Sequence, residues 1–207
     1  MKNLIKKIRL YLNMSQTEFA EHMNVSFATV NRWENDRAVP NKLAQMRLYE
    51  LCKAQAVPVY DMTLEKITEA AKKIEVVKGM VLLYHGSKSG IERMIEPKSR
   101  KQCDFGRGFY MGTDPSQALT LICDYEKSKF YIVSIDTNKL EMLTIPADIE
   151  WAMLVAYNRG RMESIKGTEF YNKYRNMAAG KDLLIGSIAN DRMFYVIDNF
   201  FIGFLIV

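Results

Sequence analysis

Closely spaced helix starts constrain the first 57 residues of the chain more strongly than any other feature of the sequence. Ser15 and Glu18 have the spacing of a capping box, S-x-x-E, which predicts a helix to about His22. Two more capping residues, Ser26 and Asn41, precede runs with apolar residues at helical spacing. The four predicted helices cover approximately residues 3–12, 15–22, 26–34 and 41–52. The pattern predicts an all-α bundle.

The pattern changes near Pro58. Residues 63–75 carry apolar side chains at helical spacing and predict one amphipathic helix, which connects two domains and packs on a neighbour or on a second copy. Short β-branched and aromatic runs then predict strands at 81–85, 129–136, 139–145 and 182–188. Asp114 and Pro115 mark a helix start, and residues 147–158 and 191–201 also predict helices.

The predicted fold class is therefore α+β overall. We expect a helix-turn-helix bundle at 1–57, a helical linker at 58–78 and a mixed α+β domain at 79–207. Apolar residues make up 48% of the chain and charged residues 26%, which is typical of a globular protein rather than a disordered one.

Several classes of protein are disfavoured by the sequence. No apolar run reaches the ~18 residues that cross a bilayer, and the start of the chain lacks the pattern of a signal peptide. We therefore expect a cytoplasmic protein that is not associated with a membrane. The three cysteines are widely spaced without metal-ligand pairing, so we expect reduced thiols and no metal site. The net charge of +5 permits a polyanionic partner but does not require one.

Residues 15–40 read SQTEFAEHMNVSFATVNRWENDRAVP and resemble the Xre/Cro-type helix-turn-helix domains of phage repressors. The matching residues are Gln16, Ala20, Val25, Val30, Trp33, Glu34, Asn35 and Pro40. In such domains the second helix of the pair lies in the major groove, usually as one half of a dimer on a two-fold site. The resemblance therefore implies double-stranded DNA as a partner and a homodimer as the binding form.

By this resemblance the residues at the DNA are Gln16, Ser26, Phe27, Ala28, Asn31 and Arg32. Phe27 and Ala28 can contact thymine methyl groups, whereas Asn31 and Arg32 can provide polar base recognition. The alternative interpretation is a helical bundle that contacts another protein.

Two segments of the second domain suggest a ligand site. The first, YHGS at 84–87, ends a predicted strand, and the second, DFGRGFYMGTDPSQA at 104–118, runs into the helix start at Asp114. Taken alone, a single histidine at the end of a strand, such as His85, is more often a structural residue than a catalytic one. Gly86 permits close approach of a ligand, and two glycines around Arg107 make a basic turn suited to phosphate.

Together with residues 151–159 and 182–192, these segments resemble an uncharacterised bacterial family of ADP-ribosyltransferase-like domains. The resemblance implies a split β-sheet domain that binds NAD, with His85 and Tyr110 as catalytic residues. It implies that His85 hydrogen-bonds the ribose, that Tyr110 stacks on the nicotinamide and that Arg107 reaches the pyrophosphate, with Gly86 beside them. The alternative role of Tyr110 is a core aromatic.

The third catalytic residue of that superfamily, Glu or Gln near the C-terminus, has no counterpart, because no Glu follows Glu169 and no Gln follows Gln117. We therefore expect a C-terminally incomplete domain or a strand supplied from elsewhere, with Asp191 serving as a helix cap. The resemblance implies a toxin–antitoxin or phage-defence component with an antitoxin or other partner protein. The alternative is a transcriptional regulator whose degenerate second domain senses NAD or binds a partner.

Overall fold

A computed structural model describes residues 2–123, 125 and 127–189, and these residues form two compact units. The first unit runs to Glu75 and also includes Pro115–Thr120. The second unit comprises Val76–Asp114 and the described residues from Leu121 onward.

The described part of the first unit is all-α. Its helices are α1 (Lys2–Tyr11), α2 (Gln16–Met23), α3 (Phe27–Glu34), α4 (Lys42–Ala54), α5 (Val59–Ala71) and α6 (Pro115–Thr120). Helices α1 to α4 occupy the four segments predicted within residues 1–57, so the prediction of a helical bundle there is confirmed. Helix α5 begins four residues before the predicted start at Thr63, directly after its N-cap residue Pro58. It ends at the buried Ala71, since the residues that follow it are exposed and lack packing.

Local capping groups set the helix starts in this unit. The Ser15 hydroxyl accepts a hydrogen bond from the Glu18 N–H at 3.2 Å, and the Glu18 carboxylate accepts one from the Ser15 N–H at 2.7 Å. This reciprocal pair is the predicted capping box. Ser26 and Asn41 cap α3 and α4 as predicted. Asn24, with a left-handed φ of 51°, ends α2 and turns the chain into α3.

One apolar core joins the helices of the bundle. Its buried residues are Ile5, Ile8, Phe19, Ala20, Met23, Val30, Trp33, Ala44, Cys52 and Val57. Because Val30 and Trp33 both point into this core, the opposite face of α3 lies outward.

The second unit mixes strands and helices, as predicted. Its elements are β1 (Met80–Ser87), β2 (Lys129–Asp136), β3 (Met142–Ile145), α7 (Ile149–Asn158), α8 (Glu169–Met177) and β4 (Leu183–Gly186). Strand β1 pairs antiparallel with β2, and β3 pairs parallel with β4, so the described strands form two separate sheets. Strand β3 starts three residues later than predicted because a turn, closed by the Leu140 N–H and the Thr137 carbonyl, comes first.

Helix α8 was missed by the sequence analysis. Thr168 caps it, and its buried face consists of Tyr171 and Tyr174. The predicted helix at 191–201 lies outside the described residues.

Helix α7 forms the centre of the second core. Six consecutive residues, 151–156, are buried, which is typical of a helix surrounded by protein on all sides. Met162, Tyr171 and Tyr174 pack with it.

In contrast, every residue of β1 is at least partly exposed. The side chains of β1 are therefore accessible to a ligand.

In the part of the chain that the structure describes, no helix is long and apolar enough to cross a membrane. Within the same residues, no group of three or more His, Cys, Asp and Glu side chains is placed to hold a metal ion.

Candidate functional site

The outward face of α3 carries most of the residues predicted to contact DNA. These residues are Ser26, Phe27, Ala28 and Arg32, which are exposed, and Asn31, which is half-buried. The spacing of Phe27, Ala28, Asn31 and Arg32 places these four on the side of the helix opposite Val30 and Trp33, whereas Ser26 caps the N-terminus of the helix. Phe27 is 52% exposed, although it is a large apolar residue. The structure therefore brings these five predicted positions together on one accessible surface.

Gln16, the first residue of α2, lies against this surface. Its Nε2 donates a hydrogen bond to Oε2 of Glu34 at 2.7 Å. Its Oε1 accepts one from Nδ2 of Asn31 at 3.5 Å. Gln16 thus connects the buried side of α3 with its outward face.

A buried ion pair between Arg9 and Glu34 lies beneath that connection. The Glu34 side chain is 4% exposed and its Oε1 lies 2.6 Å from Nε of Arg9. Burial raises the pKa of Glu34, but hydrogen bonds from Arg9 and Gln16 outweigh this effect and hold the pKa below its usual range. The same hydrogen bond to Glu34 stabilises the charged form of Arg9 and therefore raises the pKa of Arg9.

This pair was not predicted from the sequence. Glu34 was noticed as part of the motif, but nothing in the sequence connects it with Arg9, which is 25 residues away.

In the second unit, residues 104–114, the glycine-rich segment, lie beside β1. Tyr84 exchanges backbone hydrogen bonds with Gly112, at 2.8 and 3.0 Å, on the edge of β1 that faces away from β2. Nδ1 of His85 is 2.7 Å from the carbonyl oxygen of Tyr110. The centroid of its imidazole ring is 4.1 Å from that of the Phe109 ring. The two segments singled out in the sequence are therefore neighbours.

The hydrogen bond to Tyr110 determines how His85 presents its ring. A carbonyl oxygen can only accept, so Nδ1 of His85 carries the proton. In the neutral imidazole Nε2 is then an acceptor. A ligand hydroxyl can donate a hydrogen bond to this atom.

The Tyr110 side chain closes its own loop. Its hydroxyl donates to the Gly106 carbonyl at 2.7 Å and accepts from the Phe105 N–H at 3.1 Å. Burial raises the pKa of Tyr110 to about 12. The ring beside His85 is that of Phe109, which the sequence analysis did not assign to the site.

The other two predicted ligand residues, Gly86 and Arg107, make different contacts. Gly86 pairs with Phe130 in the β1–β2 ladder. Arg107 is exposed, and its Nε donates to the Pro97 carbonyl at 2.9 Å. This bond uses one of the five N–H groups of the guanidinium.

Asp104, which the sequence analysis left without a role, anchors the glycine-rich segment. Its Oδ1 accepts hydrogen bonds from Nη2 and Nε of Arg159, at 2.6 and 3.0 Å. Its Oδ2 accepts from the Ala189 N–H at 3.1 Å, and its carbonyl oxygen accepts from Nδ2 of Asn158 at 2.9 Å. The segment is thereby tied to the end of α7 and to the residues that follow β4. Asp104 and Arg159 both lie in motif segments, but only the three-dimensional structure pairs them.

Comparison with models of known families gives two matches. Residues 5–54 match the helix-turn-helix family HTH_3, which confirms the prediction of a DNA-binding domain. Residues 81–207 match the family described as "Protein of unknown function (DUF3990)", a description that names no activity or ligand. No curated protein and no solved structure matches the chain. The chain therefore belongs to the DUF3990 family, and it joins that domain to an N-terminal helix-turn-helix domain of a DNA-binding regulator.

Proposed function

We propose that the second domain of this DNA-binding regulator binds NAD beside β1 and uses it for ADP-ribosyl transfer. One observation carries the proposal: the hydrogen bond between His85 and Tyr110 joins the two segments on which the resemblance to ADP-ribosyltransferases rests. Residue 85 lies on a strand whose side chains are partly exposed, so a ligand can reach it.

Three residues of the two motif segments, His85, Phe109 and Arg107, have the chemistry to bind three parts of NAD. Nε2 of His85 is an acceptor for a ribose hydroxyl. The Phe109 ring beside the imidazole offers an apolar face on which a flat ring can stack. The exposed guanidinium of Arg107 can pair with a pyrophosphate. NAD supplies an activated bond between ribose and nicotinamide, whose cleavage allows ADP-ribose to be transferred.

A second candidate function is NAD binding without transfer. Transfer requires a carboxylate or amide that stabilises the positive charge developing on the ribose. Among the described residues of the second unit, Asp104 is the buried carboxylate, and its oxygens already accept hydrogen bonds from Arg159 and Ala189. The hydroxyl of Tyr110 is likewise bonded within its own loop. These contacts favour a domain that senses NAD.

The proposal extends to assembly and biological setting. The helix-turn-helix domain binds a two-fold DNA site as a homodimer, the usual arrangement for such modules. The second domain belongs to a toxin–antitoxin or phage-defence system in which an antitoxin or another partner protein contacts it.

The test uses the purified 207-residue protein with NAD. NAD binding is measured by calorimetry, nicotinamide release by chromatography, and transfer by the intact mass of the protein and of an added lysate. His85→Ala is compared with His22→Ala, which removes the other histidine, an exposed residue of the first unit. Circular dichroism shows whether each variant keeps its fold.

Release that His85→Ala abolishes and His22→Ala preserves supports transfer. Binding that depends on His85 without any release supports the sensor. An absence of NAD binding in the parent protein overturns both candidates and leaves a DNA-binding regulator.

A further inference from the structure

We propose that Asn31 recognises adenine in the major groove, and that Arg9, Glu34 and Gln16 are positioning residues that fix the orientation of its amide. The inference rests on DNA binding by the helix-turn-helix domain and adds the base that it reads. It follows from the donor and acceptor properties of four side chains that are hydrogen-bonded in series.

The series begins at the buried ion pair. The Arg9 guanidinium is always charged and donates to both Glu34 oxygens, at 2.6 and 3.1 Å. An ionised carboxylate can only accept hydrogen bonds. Gln16 must therefore present its Nε2 to Glu34, at 2.7 Å. Its carbonyl oxygen, Oε1, is consequently directed towards Asn31.

The amide of Asn31 is oriented in the same way. Oε1 of Gln16 can only accept, so Asn31 must present Nδ2 to it, at 3.5 Å. Oδ1 of Asn31 lies at the other branch of the amide and accepts from Nδ2 of Asn35 at 3.4 Å. These bonds use one of the two N–H groups of Asn31 and one of the two lone pairs on its Oδ1. One donor and one acceptor remain for a base.

A side chain that offers one donor and one acceptor matches adenine. In the major groove adenine presents the acceptor N7 beside the N6 donor, whereas guanine presents two acceptors. Cytosine presents an amino donor, and thymine presents an acceptor beside its methyl group. Adenine is thus the base with which Asn31 forms two hydrogen bonds.

The neighbouring surface of α3 has the chemistry expected beside an A·T pair. Phe27 and Ala28 are exposed, apolar and on the same side of the helix as Asn31. Apolar side chains there can contact thymine methyl groups. The expected half-site therefore contains an adenine at the Asn31 position, with thymines next to it.

The experiment is a selection of double-stranded DNA from a random pool, carried out with the full-length protein and followed by sequencing and affinity measurements. The parent is compared with Asn31→Ala and Gln16→Ala. The matched control is Gln45→Ala, which removes an exposed amide of α4 that bonds the Pro40 carbonyl in the same domain.

We expect the parent and Gln45→Ala to select adenine at one position of each half-site. Asn31→Ala should lower the preference for that adenine by about 5- to 150-fold, the usual range for loss of a bidentate base contact. Affinity for unrelated DNA and its dependence on salt should stay the same, because these come from phosphate contacts. Gln16→Ala should lose part of the preference for that adenine. If Gln16 only stabilised the fold, the base preference would stay unchanged.

Several outcomes would overturn the inference. One is a selected site without adenine, and another is an adenine preference that survives in Asn31→Ala. An equal loss of affinity for all sequences in Asn31→Ala would make Asn31 a phosphate contact. Salt-dependent binding without any sequence preference would refute base recognition while leaving DNA binding intact, and an absence of DNA binding would refute both. If Asn31→Ala does not fold, Asn31→Asp, which has the same shape but no amide donor, should show the same loss of adenine.

Discussion

Arg9 donates hydrogen bonds to both carboxylate oxygens of Glu34, from Nε at 2.6 Å and from Nη2 at 3.1 Å, across 25 residues of sequence. Nη1 of the same guanidinium donates to the Met14 carbonyl at 2.8 Å. One side chain of α1 thus holds the end of α3 and the turn before α2. The position of α3, which carries most of the predicted DNA contacts, therefore depends on this pair.

Arg9→Ala should destabilise the first unit by about 3–5 kcal/mol, because it leaves the buried Glu34 carboxylate without its charged partner. The measurement is urea unfolding of the full chain followed by Trp33 fluorescence, with Trp151→Phe as the background so that one reporter remains. Lys7→Ala, which breaks two surface ion pairs, with Glu65 and Glu69, should leave the unfolding midpoint nearly unchanged. Equal midpoints for the two variants would contradict the prediction.

Stability of the first unit should fall on acidification. The pKa of Glu34 is lower in the folded chain than in the unfolded chain, so the unfolded chain binds the proton more readily. The stabilisation is therefore complete above the usual Glu pKa of about 4.3, and it is lost as the pH falls through the folded value. Unfolding midpoints measured from neutral to acidic pH should drop more steeply for the parent than for Glu34→Gln. If the parent became more stable on acidification, the predicted direction of the pH dependence would be wrong.

Asp104→Ala should destabilise the second unit by about 2–3 kcal/mol, since hydrogen bonds to a charged group are lost at a buried position. The bonds concerned come from Arg159 and from the Ala189 N–H. Unfolding is followed by the fluorescence of Trp151, which lies in the core of this unit, with Trp33→Phe as the background so that Trp151 is the one reporter. Lys166→Ala, which breaks an exposed ion pair with Glu163, is the control. A control variant as unstable as Asp104→Ala would rule out a special role for Asp104.

Gly106→Ala should destabilise the protein more than Gly180→Ala. Both glycines have positive φ, +76° and +69°, so each alanine adds a backbone cost of about 1–2 kcal/mol. Only at Gly106 would the new Cβ approach another group closely, at 3.1 Å from Oδ1 of Asn158, whereas Gly180 has nothing within 4 Å. Thermal unfolding of the two variants isolates this steric difference. The comparison fails if Gly180→Ala is the less stable protein.

Local sequence signals determined where the helices of the first unit begin. Ser15, Ser26 and Asn41 were recognised as caps, and each accepts from a backbone N–H three residues later. Such signals can be read from sequence because donor and acceptor lie within one helical turn. The helix-turn-helix domain and its DNA-facing residues were predicted instead from the resemblance of residues 15–40 to the phage-repressor family.

The four strands were also indicated by sequence, but their partners were not. The antiparallel pairing of β1 with β2 and the parallel pairing of β3 with β4 join segments that are distant in the chain. Side-chain alternation records which face of a strand is buried, not which strand lies beside it. The resemblance brought His85 and the glycine-rich segment into one expected site, and only the structure placed Phe109, which had no assigned role, beside the His85 ring.

Two ion pairs, one in each unit, hold the predicted contact residues in place, and both pairs are formed only by the tertiary structure. Arg9 meets Glu34 across 25 residues, and Asp104 meets Arg159 across 55. A charged residue in a sequence carries no mark of its partner, because the pairing depends on which surfaces pack together once the apolar cores form. Sequence therefore determined the local elements and the residues that could contact a ligand, whereas packing of the folded chain decided how those residues are oriented.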